Sequence, residues 1–401
     1  MKKSLSTAEI RKAFFLFLPY VLLIPITAAA LAEDCPVGDL NGDCKVNLLD
    51  LGTLAGSWLD EEPNLPLGSV VINEVMAHSH ADAPDWIELY NTTGVPIDIS
   101  GWYLSDSDSP LTKYPIPNGT IIDAKGYVVF YEDVHFGTYH GNNVVFALSE
   151  TGETVYLSFP DVTFNPKHVC DDRKFGASQS GVSFGLYTTS AGDLKFVAMD
   201  SNTPGQANSY PKVGPIVITE IMYDPNQGSN AEYIELRNIE SYPVNLYVYD
   251  PCVPGDVNWA FTEGPEFEFP YHTTIPANGY LIVTRTDDPV EFRSWYVSTP
   301  LEVDVLGPFE DGTKLSNDGE NVEISMPGDL ENPNDPGGPH SYIRIDNVRY
   351  SDGSQHKDFP GLDPWPKGPD EAEGESLHRI YLGLYGDDVN NWEADDASPG
   401  E

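Results

Sequence analysis

Oxygen-bearing side chains recur between residues 39 and 50 at a spacing that suits coordination of a metal ion. In a twelve-residue loop that starts at Asp39, they fall at positions 1, 3, 5, 9 and 12, and position 7 can contribute its backbone carbonyl. Calcium takes about six to eight oxygen ligands in such loops. The spacing predicts a Ca2+ site at Asp39, Asn41, Asp43, Lys45, Asn47 and Asp50. The alternative is an acidic turn, containing Asn and Gly, that holds no metal.

A second group of potential metal ligands lies in the stretch "MAHSHADAPDW", which contains His78, His80 and Asp82. Two histidines that are two residues apart on a strand share a face, and imidazole with carboxylate suits Zn2+. The alternative is a polar loop between two strands. A second copy of the surrounding sequence occurs later in the chain, and its corresponding stretch, "YDPNQGSNAEY", contains no histidine. This difference favours the polar loop.

Four glutamates form two pairs, Glu74 with Glu88 and Glu220 with Glu235, in matching sequence contexts. Paired carboxylates serve as acid and base in glycosidases. Because the pair recurs, structural roles such as hydrogen bonds to turn amides are the favoured interpretation. The sequence has no H-E-x-x-H motif, no G-x-S-x-G motif and no phosphate-binding loop. We therefore predict no catalytic residue and no enzyme activity.

Three aromatic residues near the first pair, Trp86, Tyr90 and Trp102, would suit stacking on sugar rings if they were exposed. Large aromatic side chains more often fill the core of a small β-domain, because they remove much apolar area from water. The favoured expectation is that these residues belong to the core.

The elements that position these groups occur twice along the chain. "VVINEVM" at residues 70–76 matches "IVITEIM" at 216–222, "DWIELYN" matches "EYIELRN", and "LSETGETVYLS" matches "LSNDGENVEIS". The offset between matched residues grows from 146 at Glu74 and Glu220 to 195 at Gly205 and Gly400, as expected for loops that lengthen on a fixed scaffold. Short runs rich in β-branched and aromatic residues between Gly and Pro turns predict a β-sandwich in each copy.

These pieces, together with "IDISGWYLSD" and "TPGQAN", resemble the lamin-tail domain, an immunoglobulin-like β-sandwich. The resemblance covers residues 69–209 and 215–401, and the second copy departs from it at "NLYVYDPCVPGDVNW". It implies an all-β chain of two such sandwiches with a role in binding or tethering. Fold resemblance alone assigns no ligand.

Residues 33–60, which include the calcium-loop candidate, resemble one repeat of a type I dockerin. Leu48, Leu51, Leu54, Ala55 and Trp58 follow at helical spacing. The resemblance implies bound Ca2+ and docking onto a cohesin-type domain. Dockerins have two repeats, however, and the chain has one, so we expect calcium binding and leave docking open.

Position 6 of the loop holds Cys44, where the sharp turn favours Gly because a positive φ costs other residues about 1 kcal/mol. A disulfide to Cys35 would hold this residue in place, and exported thiols tend to oxidise. We expect the Cys35–Cys44 bond and have no preference for Cys170 and Cys252.

The N-terminus has the pattern of a secretory signal: a basic segment, an apolar run and "ALA" as a cleavage site, which predicts a signal peptide at residues 1–32. A membrane anchor is the alternative. Residues 61–68 form a Pro-rich linker. The formal net charge of −42 over 401 residues disfavours binding to nucleic acid and to anionic membranes. No later segment is apolar enough to span a bilayer after cleavage.

The sequence thus predicts a non-catalytic, secreted or cell-surface binding protein whose partner is an unknown protein or glycan. The alternative is a dockerin-bearing component of an extracellular polysaccharide-degrading assembly, or the N-terminal part of a larger surface enzyme.

Overall fold

The computed structural model describes residues 45–46, 67–141, 143–159, 168–250, 256–332, 334–335, 337–353, 363–366 and 374–401. The predicted signal peptide, most of the dockerin-like segment and most of the linker lie outside these residues. Residues Leu67–Glu401 belong to one compact unit. No helix within the described ranges has the length and apolar character needed to cross a bilayer.

The first sandwich contains eleven strands in the described residues. They are β1 (Val70–Met76), β2 (Trp86–Asn91), β3 (Ile97–Asp98), β4 (Tyr103–Ser105), β5 (Tyr114–Pro115), β6 (Ile121–Ile122), β7 (Tyr127–Tyr131), β8 (Gly152–Phe159), β9 (His168–Gly176), β10 (Phe184–Thr188) and β11 (Leu194–Ala198). A five-stranded sheet has the order β11-β10-β1-β2-β7, and a four-stranded sheet has the order β5-β4-β8-β9.

The second sandwich contains the remaining described strands, one α-helix and three short 3-10 turns. The strands are β12 (Ile216–Met222), β13 (Tyr233–Asn238), β14 (Val244–Asn245), β15 (Tyr247–Tyr249), β16 (Asp256–Asn258), β17 (Ala260–Glu263), β18 (Phe267–Glu268), β19 (Thr274–Ile275), β20 (Tyr280–Thr284), β21 (Asp304–Leu306), β22 (Gly319–Leu330), β23 (His340–Ser351), β24 (Glu375–Arg379) and β25 (Trp392–Asp396). The helix α1 spans Pro289–Trp295, and the 3-10 turns are Ser229–Ala231, Glu310–Gly312 and Val389–Asn391.

The two sandwiches share their strand order. The larger sheet of the second runs β21-β20-β13-β12-β24-β25 and the smaller runs β18-β17-β22-β23, so β12, β13 and β20 take the places of β1, β2 and β7. Neighbouring strands are antiparallel except β20 and β21, which are parallel. The predicted all-β class with sandwich-like sheets is confirmed.

The core of each sandwich lies between its two sheets. Ile87 and Leu89 on β2 are fully buried in the first core, and Ile234 and Leu236 on β13 take the same positions in the second. The alternation read from "WIELYN" places these residues on one face and the glutamates on the other. Burial of each such side chain stabilises the fold by about 1.5–3 kcal/mol.

The three aromatic residues considered for sugar stacking pack against other side chains of the first sandwich. Trp102 is 9% exposed and belongs to the first core, and Trp86 is 6% exposed. The half-buried ring of Tyr90 stacks on Tyr127 with centroids 4.8 Å apart. The contacts agree with the expectation that the tryptophans are structural.

The turn that starts β8 and β22 requires glycine. Gly152 has φ 98° and Gly319 has φ 108°, in the region that glycine alone adopts readily. A Cβ on Gly152 would also lie 2.7 Å from the carbonyl carbon of Gly176 on the neighbouring strand. The glycine that "TGE" and "DGE" share in the two copies is therefore explained by the positive φ that the backbone adopts there.

The second sandwich departs from the first through an inserted hairpin, β15–β16. The backbone N of Trp102 donates to the carbonyl of Ile99, and the backbone N of Trp259 donates in the same way to Leu246. Trp259 thus occupies the place of Trp102. The offset is 147 between Ile99 and Leu246 but 157 between the tryptophans, so the hairpin accounts for the ten added residues.

A second insertion in the later copy, "PGDLENPNDPGGPH" at residues 327–340, is strand at both of its ends. Residues 327–330 continue β22, and Leu330 pairs with His340 at the start of β23. β22 and β23 have 12 residues each, against 8 in β8 and 9 in β9. The added residues lengthen a hairpin because both of its arms continue the antiparallel ladder.

We predict that Leu89→Ala lowers the free energy of unfolding by about 2–5 kcal/mol, because it leaves a cavity in the first core. Urea denaturation followed by tryptophan fluorescence measures the change. Val95→Ala is the matched control, since Val95 is 60% exposed and its truncation should cost less than about 0.5 kcal/mol. Equal effects of the two substitutions would contradict the described core.

Candidate functional site

A pair of buried carboxylates lies on the face of the first large sheet that points away from the core. Glu74 and Glu88 are direct partners across β1 and β2, and both are 0% exposed. Glu74 accepts hydrogen bonds from the hydroxyls of Ser183, at 2.5 Å, and Thr203, at 2.7 Å. Glu88 accepts one from the backbone N of Gly205. The pair therefore holds the turn at residues 203–205 that follows β11, which we call the closing turn of the first sandwich.

The second sandwich has an equivalent pair that binds its own closing turn. Glu220 and Glu235 are partners across β12 and β13. Glu220 accepts from the hydroxyl of Ser376 and, at 3.1 Å, from the backbone N of Ser398. Glu235 accepts from the backbone N of Gly400 at 2.5 Å. These are the turn-amide contacts that the sequence favoured over an acid–base pair.

One carboxyl of each buried pair, Glu88 or Glu235, has a raised pKa. Burial raises the pKa of Glu88 to about 7, against opposing hydrogen bonds from Gly205 and Asn73. Burial and the neighbouring Glu220 carboxylate raise the pKa of Glu235 to about 8. The cause is loss of water around a charge, together with repulsion between two carboxylates on adjacent strands.

Two aspartates that the sequence did not single out hold the first strand of each copy. Asp171 accepts from the backbone N of Ile72 at 2.7 Å, and Asp346 accepts from that of Ile218 at 2.9 Å. Each amide lies where the strand register shifts, so it needs a partner outside the ladder. Burial raises the pKa of Asp171 to about 6, although Arg173 opposes the shift. Aligning "CDDRKF" with "RIDNVRY" would have found both residues.

The two sandwiches meet along a seam in which acidic residues of the segment between β24 and β25 contact β10, β11 and the loop between them. The carboxylate of Asp387 lies 2.6 Å from Nζ of Lys195. Asp388 accepts from the backbone N of Ser190 at 3.0 Å. The ring of Tyr385 packs edge-on against Tyr187, with centroids 5.7 Å apart.

A cavity of about 320 Å³ lies in this seam. Its apolar lining comes from both sandwiches and includes Phe175, Phe184, Phe196, Ile343 and Ile345. Ligand cavities in proteins usually measure about 300–1,000 Å³ and combine apolar walls with a few polar groups. By size and lining, the cavity falls within this class.

Polar and charged groups complete the lining of the seam cavity. The Nε of Arg344 lies 2.5 Å from the carboxylate of Glu323. Lys174 and Lys212 also line it and have no ionic partner among the described residues. The hydroxyl of Ser178 is buried and has no hydrogen-bond partner in the described part of the chain. A buried hydroxyl without a partner carries a desolvation cost that a ligand or water can relieve.

The structure separates the histidines considered as zinc ligands. His78 Nδ1 lies 2.9 Å from the carbonyl oxygen of Ser178, whereas the exposed His80 lies 3.2 Å from the hydroxyl of Ser180. Asp82 is exposed on the same loop. Among the described residues, the group of donor atoms close enough to share a metal ion is that of His78, Glu150 and Asp329, and it includes neither His80 nor Asp82.

Most of the remaining predicted site residues lie outside the described chain. These are Asp39, Asn41, Asp43, Asn47 and Asp50 of the calcium loop, and Cys35, Cys44 and Cys252. Lys45 is described and is exposed, as is its neighbour Val46. Cys170, the one cysteine that the described ranges contain, is a free thiol whose pKa is raised to about 12 by burial.

The fold and the clasped closing turns define an all-β protein of immunoglobulin-like sandwiches. Residues 64–163 match the profile of the Lamin Tail Domain family, which supports a lamin-tail-type domain in this part of the chain. No curated protein matches the chain. A solved DUF4876 family protein from Bacteroides thetaiotaomicron VPI-5482 is 11% identical over 82% of this chain and 92% of its own, but the TM-score of 0.24 is too low to carry an argument.

The raised pKa values predict how stability depends on pH. A native carboxyl that keeps its proton to about pH 8 contributes stability that is complete below its ordinary value of 4.5 and is lost as the pH rises through about 8. We expect the free energy of unfolding to fall between pH 5 and 8, and Glu235→Gln to flatten this fall. Urea denaturation at several pH values measures it.

Glu393→Gln is the matched control, because Glu393 is an exposed carboxyl on β25 and the substitution likewise removes one titratable carboxyl. In Glu235→Gln the new side-chain amide can still accept from Gly400 and donate to the Thr219 hydroxyl, which lies 2.5 Å from Oε1 of Glu235 in the wild type. An unchanged slope in Glu235→Gln would contradict a neutral carboxyl at this position.

Proposed function

We propose that this chain is a non-catalytic, extracellular binding or tethering protein built from two lamin-tail-type sandwiches. The observation that carries the proposal is the seam cavity, which neither sandwich could form alone because its walls come from β9–β11 on one side and β22–β23 on the other. Its ligand would be held by both sandwiches at once. The ligand we favour is a cell-surface glycan, with a surface protein segment as the other candidate.

The lining of the cavity supports a glycan. Sugar rings combine apolar C–H faces, which pack on aromatic rings, with hydroxyls that need hydrogen-bond partners. Tyr342 lines the cavity and is 36% exposed, so its ring is accessible from solvent. Arg344, Asn347 and the unpartnered hydroxyl of Ser178 supply polar groups beside it.

Shared contacts support a lamin-tail type for the second sandwich as well as the first. The side-chain amide of Asn91 donates to the carbonyls of Val95 and Ile122, and that of Asn238 donates to those of Tyr242 and Ile275. Together with the glutamate pairs, these contacts tie β2 and β13 to equivalent turns. The family profile covers part of the first copy, so the tandem arrangement is part of our proposal.

Export from the cell and Ca2+ binding, the two remaining parts of this proposal, rest on the N-terminal segments. The basic and apolar pattern of residues 1–32 would direct export, and the loop from Asp39 to Asp50 would bind Ca2+ and stiffen the segment before the first sandwich. The second candidate function, a component of a polysaccharide-degrading assembly, is favoured by the dockerin-like pattern of residues 33–60 and requires a cohesin-type partner.

The glycan proposal predicts binding on an array of cell-surface and plant polysaccharides, followed by titration of the strongest ligand. Tyr342→Ala should weaken the binding about tenfold or more, because one aromatic stacking contact is lost. Tyr249→Ala is the control, since Tyr249 is 74% exposed and does not line the cavity. No bound glycan, or equal loss in both variants, would contradict the proposed site.

The calcium loop predicts that the full chain binds Ca2+ in calorimetric titration, with a dissociation constant in the micromolar to millimolar range. Asp39→Asn combined with Asp43→Asn should abolish this binding, because it removes two of the charged ligands. Asp318→Asn, an exposed acidic residue far along the sequence, should leave it unchanged. Titration curves that do not differ between these variants would remove the metal site.

A further inference from the structure

His78, Glu150 and Asp329 come together from three distant parts of the chain at the edge of the seam. We propose that they form a site for a divalent transition-metal ion of the Zn2+ class, which clasps the β22–β23 hairpin to the first sandwich. This site differs from the calcium loop and does not depend on the proposed glycan binding. It is carried by the distances, by the orientation of the imidazole and by a comparison between the two sandwiches.

The distance between His78 Nε2 and Glu150 fits a shared ion better than a direct hydrogen bond. His78 Nε2 lies 3.6 Å from Glu150 Oε2. Asp329 Oδ2 lies 3.7 Å from the other ring nitrogen, Nδ1, so it enters the site only through the shared cluster of the three side chains. Hydrogen bonds of this type measure about 2.7–3.2 Å. Two donor atoms on one tetrahedral Zn2+, each bonded at about 2.1 Å, lie about 3.4 Å apart. One donor atom from each of the three side chains falls within 4.8 Å of the other two, so small side-chain movements complete the coordination.

The imidazole of His78 is oriented as a metal ligand. Its Nδ1 lies 2.9 Å from the carbonyl oxygen of Ser178. A carbonyl can only accept, so Nδ1 carries the hydrogen and Nε2 keeps a lone pair on the side of Glu150. Metal-binding histidines are commonly fixed in this way, through a backbone carbonyl on the other ring nitrogen. Ser178 is 2% exposed, so this partner is a rigid part of the structure.

In the second sandwich, the residues at the matching positions are bonded directly to each other. Asp224 and Asn317 occupy the positions of His78 and Glu150, at offsets of 146 and 167. Asn317 Nδ2 donates directly to Asp224 Oδ1 at 2.5 Å. In the first sandwich the two residues are an imidazole nitrogen and a carboxylate that lie 3.6 Å apart, too far for a direct hydrogen bond.

The third ligand comes from the part of the second sandwich that the first lacks. Asp329 lies on the four-residue continuation of β22, and Met326 beside it accepts a contact from the side chain of Gln179 at 3.5 Å. The Glu150 and Asp329 side chains are each 53% exposed, so an ion can enter from solvent. Imidazole and carboxylate together suit Zn2+ and its neighbours, whereas Ca2+ prefers oxygen ligands alone.

The test is calorimetric titration of the full chain with Zn2+ at pH 7.5, with millimolar Ca2+ present to occupy oxygen-only sites. We expect one Zn2+ to bind above the weak background of an acidic chain. His78→Ala, Glu150→Gln and Asp329→Asn should each lower the affinity at least about tenfold. His80→Ala is the matched control, because His80 lies two residues away, is exposed and does not belong to the cluster.

Hydrogen exchange with and without Zn2+ tests the clasp itself. The ion should slow exchange in residues 327–330 of the wild type and leave it unchanged in His78→Ala. Equal Zn2+ affinity in His78→Ala and His80→Ala would overturn the site. Affinity that depends on His78 but not on Asp329, or binding without added protection of the hairpin, would overturn the bridge between the sandwiches.

Discussion

Each sandwich depends on a buried pair of glutamates that must be satisfied by donors from the far end of its own chain segment. A carboxylate without water costs several kcal/mol unless hydrogen bonds replace the lost solvent. Glu74 and Glu88 find those donors in the closing turn around Thr203 and Gly205. The first two strands and the last turn of the sandwich are therefore ordered together, and the large sheet gains a cover on its outer face.

The hydrogen bonds between the glutamate pairs and the closing turns also position the seam, which contains the proposed binding sites. The closing turns fix β10 and β24, and the segment that follows β24 brings Asp387 and Asp388 against the first sandwich. The lengthened β22–β23 hairpin supplies one wall of the cavity and carries Asp329 toward His78. A shared scaffold with one longer hairpin thus produces an interface that a pair of identical sandwiches would not have.

Part of this arrangement could be predicted from the sequence, because strand alternation and turn residues are local signals. "WIELYN" alternates at period two, which placed Ile87 and Leu89 in the core and Glu88 on the opposite face. Matching of the two copies identified the glutamate pairs and the closing turns. The match failed between Asn245 and Trp259, because an inserted hairpin moved the equivalent tryptophan by ten residues.

The sequence by itself determined the all-β class, the repeated order of strands and the glycines that the turns require, since each follows from the chemistry of neighbouring residues. Tertiary structure decided which distant residues contact one another. His78 and Asp329 are 251 residues apart, and no local pattern connects them. The bonds of Asp171 and Asp346 to bulged strand amides, and the seam cavity itself, also exist only after sheets pack, because packing fixes distances between side chains that the chain order leaves free.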